Sequence, residues 1–271
     1  MRKWLAPSIL VAVAAVTAFS ITRSGRADAQ TSAQKTPRTA DKKPDFNGVW
    51  QAFTTASWDL LDHGPQKGVP AGQGVVENND IPYQPTAAAK RKENYEKRMT
   101  LDPLHKCYLP GVPRITYLPF PFEITQTPKM VAIKYEYVHA TRLIYTDGST
   151  HPEGLLDFWM GDSRGRWEGD TLVVDVTNFN GRTWFDRAGN FHSDALHVVE
   201  RYTPVGPNHI KYEVTIEDPK VFTRPWKMSM PLYRRLEKDV RVLDYECLEF
   251  EEPFVPWHEP PIPSMPGPAK K

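Results

Sequence analysis

Glu200 is the side chain whose position first raises a chemical question. Leu196, Val198, Glu200 and Tyr202 fall on one face of an alternating stretch, the face that must meet a neighbour's apolar side. A carboxylate there is costly unless it is paired, hydrogen-bonded or protonated. Pairing with a core arginine such as Arg142 or Arg166 would make it structural. Held protonated beside a ligand, it would be a general acid or base, with His192, His197 or Asp162 as polar partners. His192-Ser193-Asp194 followed by His197 is dense in reactive groups. A Ser-His-Asp triad needs three converging side chains, which adjacent positions rarely give, and no G-x-S-x-G elbow is present. His151, His192 and Asp194 are the weak candidates for a metal, converging from two loops, but no H-x-H or H-E-x-x-H spacing supports them. Asp157, Trp159 and Asp162 suit sugar chemistry, or Asp162 simply caps the turn Gly161-Asp162-Ser163. Met228 and Met230 on one strand face offer thioethers to cuprous copper, or fill a core. The expectation is neither metal nor cofactor.

These residues need strands to hold them, and the strands are legible. Gly169-Asp170 is a two-residue turn of the kind that joins antiparallel strands. Folding there sets Trp167 opposite Leu172, Gly165 opposite Val174, Ser163 opposite Val176 and Arg164 opposite Asp175. Ile210, Tyr212, Val214 and Ile216 alternate with Lys211, Glu213, Thr215 and Glu217, a half-buried strand. Phe122 to Gln126, Met130 to Tyr137, Thr141 to Thr146, Ala195 to Thr203, Lys227 to Arg235 and Arg241 to Phe250 read as further strands. Pro85 to Met99 is the one clear helix, with Glu93 and Lys97 spaced i,i+4. Thr54 to Gln84 is a long loop with a short helical turn near Ser57 to Leu61. Asp102 to Pro121 is a proline-rich strap.

Arg2 and Lys3, the apolar run Leu5 to Ile21 and Ala27-Asp28-Ala29 read as a signal peptide over residues 1–29, with an uncleaved anchor as the alternative. Residues 30–44 are a polar leader, 45–250 one barrel-like domain and 251–271 a proline-rich tail. The 271-residue chain carries a net charge of +1, so composition gives no steering to nucleic acid. No second apolar run reaches membrane-spanning length. The expected location is periplasmic or secreted. There, two cysteines, Cys107 and Cys247, suggest one disulfide, with buried free thiols as the alternative. Such a bridge would be worth roughly 4–5 kcal/mol on the chain-entropy model.

Gly48-Val49-Trp50 resembles the G-x-W of the first strand of lipocalins, where the glycine sits at a tight bend and the tryptophan plugs the barrel floor. The blocks Cys107 to Arg114, Tyr145-Thr146-Asp147-Gly148 with His151-Pro152, Gly161 to Asp175, His192 to His197, Glu200-Arg201-Tyr202 and Thr215 to Pro219 followed by Pro225-Trp226 resemble an uncharacterised family of exported β-rich bacterial proteins, found in soil proteobacteria and acidobacteria. The likeness implies export and a β-rich fold, and carries no activity.

The fold expected is an all-β, mainly antiparallel, lipocalin-like barrel or strongly curved meander with one surface helix and long loops. The leading functional expectation is a small apolar or aromatic ligand held in the barrel cavity by Trp159, Trp167, Tyr135, Tyr202, Tyr212 and Arg142. The alternatives are a cofactor-free acid/base enzyme using Glu200 with His192, His197 or Asp162, and a cell-envelope interaction protein using the loop and tail. The sequence leaves the oligomeric state open.

Overall fold

The computed structural model describes residues 35–66, 69–154 and 156–247. The signal peptide and the proline-rich tail read from the sequence lie outside the described residues. Nine strands follow one another around a closed barrel. They are β1 (Gly48–Ala52), β2 (Phe122–Thr127), β3 (Met130–Tyr135), β4 (Thr141–Tyr145), β5 (Asp162–Glu168), β6 (Thr171–Thr177), β7 (His197–Pro204), β8 (His209–Glu217) and β9 (Trp226–Arg234). β1 closes the ring against β9, with Trp50 opposite Arg234 and Ala52 opposite Leu232.

The central hairpin has the register that the Gly169-Asp170 turn dictates: Trp167 faces Leu172, Gly165 faces Val174 and Ser163 faces Val176. Period-2 alternation sends one side of each strand indoors. Ile210, Tyr212, Val214 and Ile216 are buried while their neighbours on β8 face outward. The floor is built at β1. Trp50 is 1% exposed, its indole N–H donates to the Phe46 carbonyl at 2.7 Å, and the Arg234 guanidinium lies 4.3 Å over its ring. Gly48, at φ +118°, leaves that guanidinium its place: a Cβ there would stand 2.8 Å from Arg234 Nη1.

The barrel is mainly antiparallel, as expected; β4 and β5 alone pair in parallel among the described strands, with Ile144 opposite Ser163. The connection over residues 146–161 is long enough for the crossover that a parallel pair requires. Two expectations are corrected. A last strand over Arg241 to Phe250 does not form in its described part. Only the isolated bridge of Tyr137 with Tyr245 occurs there. β1 pairs with the end of β9 and the Val75–Val76 segment takes part of the remaining edge, so the chain beyond β9 does not add to it there. The helix also stops earlier than Met99. It divides into α1 (Pro85–Glu96) and the single turn α2 (Arg98–Leu101), with Lys97 non-helical between them.

The segment between β1 and α1 covers the edge that short β1 leaves bare on β9. Ser229 N–H donates to the Val75 carbonyl at 2.9 Å, and Val76 bridges to Met228. Pro231 has no N–H to offer, so its place on a strand with a partly uncovered edge costs no ladder bond. Cys107 and Cys247 form a disulfide with Cα atoms 5.5 Å apart, which ties the strap after α2 to the chain beyond β9. No helix among the described residues is long and apolar enough to cross a membrane.

Candidate functional site

The barrel interior holds a polar cluster. Glu200 is fully buried on β7 and Arg142 on β4 is 3% exposed. Arg142 Nη1 donates to Glu200 Oε1 at 3.1 Å, and Nη2 donates to Oε2. The same guanidinium donates through Nε to Ser163 Oγ at 3.0 Å. Tyr202 and Tyr212 both donate to Glu200 Oε1, at 3.0 and 2.6 Å. Burial alone would depress the Arg142 guanidinium, but the Glu200 carboxylate outweighs it and holds it well above its ordinary value. Burial first, then the Glu200 charge, pushes the Tyr202 and Tyr212 phenols far up. Tyr135 is buried beside this pair, and burial pushes its phenol up.

Four of the expected ligand-binding residues, Arg142, Tyr135, Tyr202 and Tyr212, therefore converge inside the barrel. The position a ligand's carboxylate would take among these donors is filled by the protein's own Glu200. None of five clefts found on the described residues has these side chains in its wall. Trp167 lies apart, against Phe46 at 5.7 Å between ring centroids, with the Lys43 ammonium over its ring.

The other expected acid/base and metal residues do not gather around Glu200. His192 is buried, sharing a hydrogen bond of 2.6 Å with Thr183 Oγ1 and donating from Nδ1 to the Ser193 carbonyl. Burial pushes its imidazole below the usual range. Asp194 is exposed and pairs with Lys220 at 2.7 Å. His151 stands on the outer wall between two carboxylates, Asp162 at 2.7 Å and Asp175 at 2.8 Å, and His197 reaches the other oxygen of Asp175 at 2.9 Å. Burial would raise the Asp175 carboxyl, but hydrogen bonds from His197 and His151 outweigh it and hold it low. Arg164 completes this chain through Asp162. Asp162, His151 and His197 thus share, through Asp175, one hydrogen-bonded network on the barrel wall, separate from Glu200. No group of three or more His, Cys, Asp or Glu suited to a metal occurs among the described residues.

Two clusters have no counterpart in the sequence reading. The first is the carboxylate pair Asp59 and Asp186 beneath α1. Asp186 is fully buried and accepts from Leu60 N–H at 2.9 Å and from the Asn190 backbone at 3.1 Å and side chain at 2.5 Å. Burial, then the neighbouring Asp59 charge, pushes its carboxyl up to about 7. The pair is sealed by Tyr83, which donates to Asn190 at 3.0 Å. It joins the segment between β1 and α1 to the loop between β6 and β7.

The second is a surface cleft of about 280 Å³ lined by Trp159, Tyr108, Lys106, Arg182, Leu101 and Thr100, with Pro103 at its edge. Each wall is placed by specific bonds. Trp159 is fixed because Phe158 N–H donates to Asn178 at 2.8 Å and Asn180 N–H donates back to Phe158 at 3.1 Å. Asp102, 1% exposed, caps the turn after α2 through Leu104 N–H and takes both terminal nitrogens of buried Arg114 at 2.8 Å. Burial would raise the Asp102 carboxyl, and Arg114 outweighs it and keeps it low. Cys107, left-handed at φ 56° and bridged to Cys247, then turns the chain into Tyr108. The Tyr108 and Trp159 rings meet at 4.9 Å. The side chains of Lys106 and Arg182 make no ion pair or hydrogen bond among the described residues. Of the expected ligand-binding residues only Trp159 belongs here. The sequence signal that would have found its companions is the adjacency of Lys106 and Tyr108 to Cys107.

No protein-family model matches this chain, and no curated protein matches it.

Proposed function

We propose that this protein binds a small planar anion, of the aromatic carboxylate class, in the cleft between Tyr108 and Trp159. One observation carries the reading: two aromatic rings and two cations that have no carboxylate partner among the described residues line one concavity. A ring stacks on the Trp159 and Tyr108 faces and buries apolar area there. Arg182 offers a fork that matches a carboxylate, and Lys106 a point charge. Leu101 supplies an apolar rim and Thr100 a hydroxyl. This keeps the aromatic ligand expected from the sequence and moves it from the barrel lumen to the outer wall, because the lumen donors are spent on Glu200. Export of the protein, and its membership of the family it resembles, are parts of the same proposal.

The test is a titration with 4-hydroxybenzoate followed by tryptophan fluorescence. Saturable binding is expected, weakened at least tenfold by Trp159→Ala and by Arg182→Gln. The neutral analogue benzyl alcohol should bind more weakly than the acid. Equal binding of acid and alcohol, or binding indifferent to both substitutions, overturns the reading.

A further inference from the structure

The last described residue, Cys247, stands beside the Tyr108 and Trp159 cleft. The disulfide holds its Cα 5.5 Å from that of Cys107, and Cys107 lies between Lys106 and Tyr108, two residues of the cleft wall. The chain leading to that point is anchored. Tyr245 packs on Phe120 at 4.5 Å between ring centroids and on Tyr137 at 5.7 Å, and His139 reaches Glu246 at 3.0 Å. Residues 248–271 therefore set out from a fixed point at the cleft, not from the end of β9. A chain spans at most about 3.5 Å per residue, so Phe250 must lie within roughly 10 Å of Cys247.

The chemistry of that stretch complements the cleft. Leu248-Glu249-Phe250-Glu251-Glu252-Pro253-Phe254 follows Cys247, with three glutamates, two phenylalanines and no basic residue. The cleft offers the converse: the cations of Lys106 and Arg182, which have no carboxylate partner among the described residues, and the ring faces of Tyr108 and Trp159. Its surroundings are apolar and bare. Of ten large apolar side chains exposed among the described residues, five lie on the two segments that supply these rings: Met99, Leu101, Tyr108, Leu156 and Phe158. Exposed apolar side chains gathered in this way mark a contact surface, whereas scattered ones do not.

We infer that residues 248–254 of the same chain dock in this cleft, Phe250 against the Trp159 and Tyr108 rings and the glutamates toward Lys106 and Arg182. A ring flanked by carboxylates presents the same groups as an aromatic acid, so the docked segment excludes such an acid from the cleft. Exposed ion pairs contribute little by themselves, so burial of the ring supplies most of the attraction and the charges set its orientation. The short tether makes a weak contact sufficient, because it presents the segment at an effective concentration of about millimolar. The docking stands on the match of segment and cleft; the competition rests on the ligand reading above.

The test uses the full chain with its disulfide intact. A nuclear Overhauser effect between the Phe250 ring and the Trp159 indole is expected, the two signals being assigned by their loss in Phe250→Leu and Trp159→Phe. The triple variant Glu249→Gln, Phe250→Ser, Glu251→Gln should bind 4-hydroxybenzoate about threefold more tightly than the wild type. Absence of the Overhauser effect overturns the docking, even where 4-hydroxybenzoate binds as proposed. Equal affinity of the two proteins overturns the competition. An effect seen only between differently labelled molecules gives the cleft to the tail of a second copy and overturns the assignment to the same chain. The effect within one chain, with no binding of 4-hydroxybenzoate to either protein, upholds the docking and overturns the ligand reading together with the competition that rests on it.

Discussion

At the scale of the residue, Glu200 shows how a buried charge is made tolerable. It is met by one guanidinium and two phenols, and every one of those donors is inside the barrel. Taking away one partner of such a pair strands the other in a low-dielectric interior. Glu200→Gln should therefore cost about 3–5 kcal/mol of stability in urea unfolding. Replacing both partners, Arg142→Met with Glu200→Leu, should recover most of that loss. Ligand binding in the Trp159 cleft should be unchanged in either variant that folds. A midpoint for Glu200→Gln equal to that of the wild type would show that the pair does not hold the barrel together. Alternation along β7 was enough to place Glu200 indoors. It was not enough to choose between Arg142 and Arg166. That choice depends on which face of β4 turns inward, and Arg166 instead projects outward to Glu168 at 2.8 Å.

At the scale of the element, the loop from β4 to β5 matters most, because it carries His151 and Trp159 on one connection. Its far end turns at Gly161, at φ +67°, where a Cβ would stand 2.7 Å from Val176 Cγ1 and 2.8 Å from the Thr177 carbonyl. Both the left-handed backbone and the close approach exclude a side chain. Gly161→Ala should cost about 1–3 kcal/mol. The strain should also displace Trp159, two residues away, which a changed tryptophan emission would report. An alanine variant with unaltered emission and melting temperature would contradict this account of the turn. The hairpin of β5 and β6 could be read to its register because a two-residue turn fixes the pairing locally. The parallel pairing of β4 with β5 could not, because nothing local to either strand specifies a partner across a crossover.

At the scale of the molecule, two opposed titrations set the stability profile. Asp102 and Asp175 are held low in the folded state, so the stability they contribute is present above the unfolded carboxylate range and is lost on acidification. Asp186 runs the other way. Its folded value of about 7 lies above the unfolded one. Its favourable contribution is complete below the unfolded value and drains away as pH climbs towards 7. Melting temperature should therefore be highest near the unfolded carboxyl value of 3.8 and fall from there until about pH 7. Asp59→Asn removes the charge that helps raise Asp186, and should flatten that fall while leaving the acid limb in place. A fall of unchanged steepness in Asp59→Asn would remove Asp59 from the account.

The sequence by itself determined the class of fold, the strands that alternate, the tight hairpin turn and the buried position of Glu200. Each follows from neighbours a few residues apart, through side-chain period, turn chemistry or the cost of a buried charge. Tertiary structure alone decided the closure of β1 on β9 and left no tenth strand among the described residues. It decided that the lumen donors would be consumed by the protein's own carboxylate. It also brought Lys106, Tyr108, Trp159 and Arg182 to one cleft. These groups come from segments far apart in the chain, and no local preference of either partner encodes the distance at which folding leaves them.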